Sequence, residues 1–252
     1  MALAIDLNGT AVLLTGGSKG IGAAALEALA YAGASVVFTY RSGAAEARAL
    51  CARFPSVHAY QCDLADHAGL PALVGYCVKT IGAIDVLINN AAIFADNPFD
   101  GSDYGAWRQG WQHTFDVNLF GPAHLAFLAM AHMRKRGHGK IINIASRAAH
   151  RGELSFADYG ASKAALVNLT KSIARSCAKD GIIALAVAPG FIQTEMAREE
   201  LERRRAQIEA EIPSGRVGTP EEVAGFIAFL ASPMADYANG ATIDLNGGSY
   251  VR

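Results

Sequence analysis

The chain has 252 residues, a formal net charge of −1, and a composition that is 52% hydrophobic and 18% charged. Near-neutrality excludes any general electrostatic pull towards nucleic acid or anionic membranes. The apolar content suits a sheet buried on both faces. The four cysteines, Cys51, Cys62, Cys77 and Cys177, form neither a Cys-x-x-Cys pair nor a zinc spacing. They are expected to be small core hydrophobes in a reducing compartment. The N-terminal residues lack a basic stretch followed by an apolar run, and no apolar run is long enough to cross a bilayer. A soluble cytoplasmic protein is therefore expected. No linker or low-complexity tract divides the chain, so residues 1–252 are expected to form a single domain.

In chain order, short β-rich runs alternate with helical patterns. Strands are predicted at Ala11–Thr15, Ser35–Tyr40, Val57–Gln61, Ile84–Ile88, Lys140–Ala145, Ile182–Ala188 and Ala241–Leu245. Helices are predicted around Gly20–Ala32, Ala44–Arg53, Ala68–Ile81, Gly105–Arg136, Ala157–Ala178 and Pro220–Ala231. Such alternation specifies an α/β fold, doubly wound around a mostly parallel seven-stranded sheet with helices on both faces. Gly121-Pro122 should kink the long fourth helix. Thr219, Pro220 and Glu222 compose a capping box for the last one.

Two stretches fall outside this alternation. One is the loop Ala92–Asp103. The other, Phe191–Gly215, is rich in charge and carries a thin apolar stripe of Met196, Leu201, Ile208 and Ile212. It is either a solvated helix with ion pairs such as Glu199–Arg203 and Glu200–Arg204, or a mobile substrate lid over about 191–215, or both.

The first strand runs into Thr15-Gly16-Gly17-Ser18-Lys19-Gly20-Ile21-Gly22 and then into a helix. Glycines there let backbone N–H groups approach a pyrophosphate at a helix N-terminus, where the dipole favours anions. The end of the second strand contacts the adenosine ribose in this architecture. A carboxylate there binds a 2′-hydroxyl, and an arginine accommodates a 2′-phosphate. The sequence reads Tyr40-Arg41-Ser42, without a carboxylate. Arg41, helped by Lys19, therefore predicts NADP(H) over NAD(H).

Taken in order, Thr15-Gly16-x3-Gly20-Ile21-Gly22, Asp63-Leu64, Asn89-Asn90-Ala91, Asn118, Ser146, Tyr159-x3-Lys163 and Pro189-Gly190 resemble the short-chain dehydrogenase/reductase family across nearly the whole chain. One departure is Ala92, where the family usually carries glycine. The resemblance implies a Rossmann-type fold. It also implies that Thr15 and Asn89 brace the turn, that Asp63 lies against the adenine, and that Pro189, Ile192 and Thr194 flank the nicotinamide. Within the family, Ile212-Pro213-x-Gly215-Arg216-x-Gly218-x-Pro220-Glu221-Glu222 and Asn246-Gly247-Gly248-x-Tyr250 look most like the 3-oxoacyl-thioester reductases, a branch whose members differ in substrate. The resemblance further implies a homotetramer built through the fourth and fifth predicted helices and the last strand.

Tyr159 and Lys163 share one helix face. A tyrosine titrates near pH 10, and lowering it by about three pH units requires roughly 4 kcal/mol of preferential phenolate stabilisation. Lys163 and the positive charge of an oxidised nicotinamide are expected to supply it. Tyr159 is then the general acid for ketone reduction and the base for alcohol oxidation. Ser146, at the carboxyl end of its strand, is expected to donate to the substrate oxygen. No Gly-x-Ser-x-Gly elbow supports a hydrolase instead. By resemblance, Lys163 also holds the nicotinamide ribose, and Asn118 holds a water that links Lys163 to solvent.

The expected catalytic set is therefore Ser146, Tyr159, Lys163 and Asn118. The expected cofactor contacts are Thr15, Gly16, Ser18, Lys19, Gly20, Ile21, Gly22, Tyr40, Arg41, Ser42, Asp63, Leu64, Asn90, Ala91, Tyr159, Lys163, Pro189, Gly190, Ile192 and Thr194. A substrate pocket is expected from Phe94, Ala148, His150, Glu153, Leu154, Phe156, Phe191 and Met196. No metal set is expected from the seven scattered histidines. Asp180 stands where a carrier-protein reductase would favour a basic residue for its acidic partner, which argues against carrier-bound acyl chains. The leading expectation is an NADPH-dependent reductase of a small-molecule ketone, of 3-oxoacyl or related apolar type. An alcohol, sugar or steroid dehydrogenase and a non-catalytic NADP(H) sensor are the alternatives.

Overall fold

The computed structural model describes residues 4–100 and 103–251. Gly101 and Ser102, in the first irregular loop, and residues 1–3 of the N-terminus lie outside them. Seven strands form one parallel sheet: β1 (Ala11–Leu14), β2 (Ser35–Tyr40), β3 (Val57–Gln61), β4 (Val86–Asn89), β5 (Gly139–Ile144), β6 (Ile182–Pro189) and β7 (Thr242–Leu245), in the order β3-β2-β1-β4-β5-β6-β7. Eight helices are present among the described residues: α1 (Gly20–Tyr31), α2 (Ala44–Arg53), α3 (Leu70–Ile81), α4 (Tyr104–Phe115), α5 (Gly121–Arg136), α6 (Ala157–Cys177), α7 (Arg198–Ala210) and α8 (Pro220–Ala231).

The strands alternate sides with period two, as their pleat requires. Val12, Leu14, Val36, Phe38, Ile88 and Ile142 join the core beneath α1, α2 and α8. Leu13, Val37, Leu87 and Ile141 join the opposite core beneath α3, α5 and α6. Runs of consecutive apolar strand residues are thus explained by two cores rather than one. Strand order reverses between β1 and β4, and ligands in such sheets bind outside the carboxyl ends at that reversal.

The predicted strands and helices are all present, most with ends shifted by one or two residues. The long helix Gly105–Arg136 differs in detail. It divides into α4 and α5 around a π-helical turn at Asp116–Phe120 that ends where Gly121-Pro122 begins. Pro122 has no N–H for the carbonyl four residues earlier, which is that of Asn118, so the regular ladder cannot continue there. The capping box forms as expected: the Thr219 hydroxyl accepts from the Glu222 N–H, and the Glu222 carboxylate accepts from the Thr219 N–H. All four cysteines are free; Cys77 and Cys177 are buried, and burial pushes the Cys77 thiol up to about 12. No helix among the described residues is long and apolar enough to cross a membrane.

Candidate active site

A crevice of about 470 Å³ opens at the carboxyl ends of the strands. One wall is the glycine turn. Gly16 has φ +68°, and a side chain on Gly22 would drive its Cβ to 2.0 Å from the Gly16 carbonyl oxygen, so both positions require glycine. Hydrogen bonds from Gly16 N–H to the Thr39 hydroxyl (3.1 Å) and from Gly17 N–H to the Thr39 carbonyl (2.9 Å) strap the turn to β2. Thr15 is buried, and its hydroxyl accepts from the N–H groups of Asn90 and Ala91 at 3.0 Å each. It braces the turn from beneath rather than lining the crevice. Asn89 likewise braces the sheet, donating to Asn143 across β4 and β5 at 2.8 Å.

Every other residue expected to touch the cofactor lines this crevice. Arg41 is exposed at its rim, and no Asp or Glu stands beside Tyr40. The first N–H groups of α1 have no helical acceptors and face the same space. These features fit an adenine dinucleotide with a 2′-phosphate. Lys19 is more committed than its position in the turn implies: its ammonium pairs with Glu195 at 3.0 Å and Glu46 at 3.7 Å, and Glu195 holds its pKa above the ordinary lysine value. Ala92 lines the crevice without a left-handed backbone, so the departure from glycine strains nothing.

The opposite wall carries the chemistry. Ser146 follows β5, and its oxygen accepts from Ala148 N–H at 3.1 Å, which leaves its own hydrogen to donate. It hydrogen-bonds with the Tyr159 hydroxyl. The Tyr159 ring stands edge-on to Phe94 at 4.9 Å, and Phe94 stacks on Phe156 at 3.8 Å, so two aromatic rings fix the phenol. Asp158, buried beside it, accepts from the Thr114 hydroxyl (2.7 Å) and the Tyr159 N–H (2.8 Å), tying the start of α6 to α4. Lys163, only 2% exposed, donates to the Ile144 carbonyl at 2.7 Å and lies 5.7 Å from the Tyr159 ring centre.

Among the protein's own groups, burial governs both Tyr159 and Lys163. Burial pushes Tyr159 up to about 12, opposed by the Ser146 hydrogen bond, and pushes Lys163 down to about 7. The ammonium is spent on the Ile144 carbonyl instead of the phenol. Asn118 is fully buried and outside the crevice. Its amide oxygen accepts from Ile93 N–H (2.9 Å), and its amide nitrogen donates to the Ile93 carbonyl (3.0 Å) and Ser162 (3.2 Å). It clamps the loop after β4 to α6.

Phe94, Ala148, Glu153, Phe156, Phe191 and Met196 line the substrate end. Two expected members do not. Leu154 points to solvent, 99% exposed, and His150 stacks on Tyr250 instead. Met196 is half exposed and stands apart from the apolar stripe, whose buried members are Leu201, Ile208, Ile212 and, additionally, Val217. Arg203 pairs with Glu200 rather than with Glu199, because α7 is broken at Arg204 (φ −147°, ψ 33°) and both guanidiniums gather on Glu200. Asp180, expected to bear on an acidic carrier, is engaged by Arg134 at 2.7 Å. The sequence reading missed Arg147 and Arg204, which both line the substrate end; their only signal was position, one beside Ser146 and one within the lid.

Residues 16–250 match the family model described as enoyl-(acyl carrier protein) reductase. The chain is 34% identical over 247 residues to the 3-oxoacyl-[acyl-carrier-protein] reductase FabG of Vibrio cholerae, covering 98% of this chain and all of that one. It is 36% identical over 239 residues to the acetoacetyl-CoA reductase of Rhizobium meliloti, covering 94% and 97%. A gluconate 5-dehydrogenase from Burkholderia cenocepacia, solved with NADP and tartrate, superposes with a TM-score of 0.89 at 35% identity over 98% of each chain. A blue fluorescent protein from a metagenomic library, solved with NADPH, superposes with the same TM-score at 36% identity over 98% of this chain and 100% of that one. With its parallel sheet, glycine turn and Ser146–Tyr159–Lys163 wall, the chain belongs to the short-chain dehydrogenase/reductase family of oxidoreductases.

Proposed function

We propose that the protein is an NADPH-dependent reductase of a small ketone, working at the crevice between the glycine turn and Tyr159. The observation that carries this reading is the convergence of Ser146, Tyr159 and Lys163 on one wall of a crevice whose other wall is a dinucleotide-binding turn. The similarity to 3-oxoacyl and acetoacetyl thioester reductases, and to neighbours solved with NADPH or NADP, supports both the reaction and the cofactor.

The cofactor, when bound, supplies the hydride. The protein handles the proton and the oxygen. Ser146 donates to the carbonyl oxygen as negative charge grows there. Tyr159, whose burial keeps it protonated, gives its proton to that oxygen. Lys163, brought to about 7 and held on the Ile144 carbonyl, exchanges a proton near neutrality behind the phenol. The Asn118 carbonyl, denied its helical donor by Pro122, has the spare acceptor capacity to extend that path to solvent. In the reverse direction Tyr159 acts as base, and the positive charge of an oxidised nicotinamide then lowers its pKa. Arg41 and Ser42 receive the 2′-phosphate, while Phe191 and Met196 close over the ketone. The same reading includes a homotetramer joined through α4, α5, α6 and β7.

The test is loss of nicotinamide absorbance with a panel of activated ketones, run with NADPH and NADH. Turnover faster with NADPH is the expected result. Tight NADPH binding with no turnover on any ketone would instead make the protein a nucleotide sensor.

A further inference from the structure

Arg147 is a buried cation that makes no hydrogen bond to a carboxylate among the described residues. Its side chain lines the reaction end of the crevice and is only 4% exposed. Its Nη1 has no hydrogen-bond partner among the described residues. The Phe191 ring covers the guanidinium at 4.9 Å. The nearest carboxylate, Glu153, lies 4.0 Å from Nε, beyond hydrogen-bond range, and is closer to Arg151 at 3.6 Å. The other carboxylates of this region lie nearer to other arginines. Glu211 lies 3.9 Å from Arg151, and Glu200 holds Arg203 and Arg204. Burial, followed by the neighbouring Arg151, pushes the Arg147 guanidinium below its ordinary range, against the opposing pull of Glu153 and Glu211.

An arginine withdrawn from water and only loosely paired costs stability, and an anionic ligand would complete its free donor. Arg147 directly follows Ser146 and lines the same crevice, and its guanidinium is a fork of donors suited to a carboxylate. We infer that Arg147 is a specificity residue for a carboxylate on the substrate, and that the ketone reduced at Tyr159 belongs to a short oxo acid rather than to a neutral ester or thioester. This rests on the reductase reading above. NADPH delivers a hydride to the carbonyl carbon, Tyr159 delivers a proton to its oxygen, and the products are NADP⁺ and the hydroxy acid. The carboxylate passes through unchanged.

The experiment compares acetoacetate with methyl acetoacetate, which share the reacting ketone and differ in the charge. The wild type is expected to favour the acid in kcat/KM. Arg147→Met should lower the acid-over-ester ratio by about 10- to 100-fold, chiefly through KM for the acid. Arg147→Lys should restore part of it. Because the ratio is internal to each protein, partial loss of folded enzyme does not disturb it, and the wild-type preference needs no variant. A wild type that prefers the ester, or a ratio unmoved by Arg147→Met, overturns the carboxylate assignment and leaves Arg147 as the structural partner of Glu153. Failure of the wild type to oxidise NADPH with either compound, or with any of the ketone panel, overturns the reductase reading itself.

Discussion

Replacing Tyr159 by Phe removes one hydroxyl and keeps the ring against Phe94. Folding and NADPH binding should survive, while turnover should fall at least ~100-fold; near-normal turnover would move the acid elsewhere. Arg41→Ala should weaken NADPH more than NADH by about 1.5–3 kcal/mol, the worth of a charge-assisted contact, in paired titrations; equal loss for both would remove Arg41 from the 2′-phosphate. Lys163 yields a prediction about stability. Its pKa falls from an unfolded value near 10.5 to about 7 in the fold, so between these pH values the unfolded chain holds the extra proton. Stability must therefore rise with pH across that window. Tyr159, raised from 10 to about 12, reverses the trend above pH 10. Lys163→Met should flatten the rise, as measured by denaturant unfolding at pH 7 and pH 9. An equal rise in the variant would place its source in another group. At this scale the sequence was informative where chemistry needs fixed spacing: Tyr159 and Lys163 four apart, and a strand end without a carboxylate. Arg147 was illegible because an arginine outside the main elements is ordinarily solvated, and its burial against the Phe191 ring is a product of tertiary packing.

Elements were legible wherever apolar periodicity and punctuation agreed. The capping box and Ala44–Arg53 are examples. The π turn at Asp116–Phe120 was not, because Pro122 announces a disturbed ladder without specifying whether it bends, breaks or widens. α7 posed a different problem. Its charges predicted i,i+4 pairs, yet the break at Arg204 redirects Arg203, a backbone choice made by tertiary packing. The segment rests on a separate small cluster of Leu201, Ile208, Ile212 and Val217 rather than on either main core. Local opening should therefore cost little. Amides of Arg198–Ala210 are expected to exchange faster than those of α6 in the free protein and to slow in the ternary complex. Equal protection of both helices without ligand would make the lid a fixed wall.

For the whole molecule, surface composition adds what strand order does not. Phe127 on α5 is 70% exposed, Tyr104 on α4 is also exposed, and Phe120 between the two helices is partly so, apolar surface that a partner chain would cover. Light scattering should find four chains of 26.4 kDa in each particle, and a single chain would contradict the assembly. The reversal of strand order between β1 and β4 has another effect. Gly16, Tyr40–Ser42 and Asp63 precede β4, whereas Ser146, Arg147, Tyr159 and Lys163 follow it. Nucleotide choice and reaction choice are thus written in consecutive halves of the gene product, joined at Asn89-Asn90-Ala91. Recombination at that seam would graft a new redox currency onto an old chemistry, or the reverse, with Tyr159, Lys163 and Pro189–Thr194 facing both.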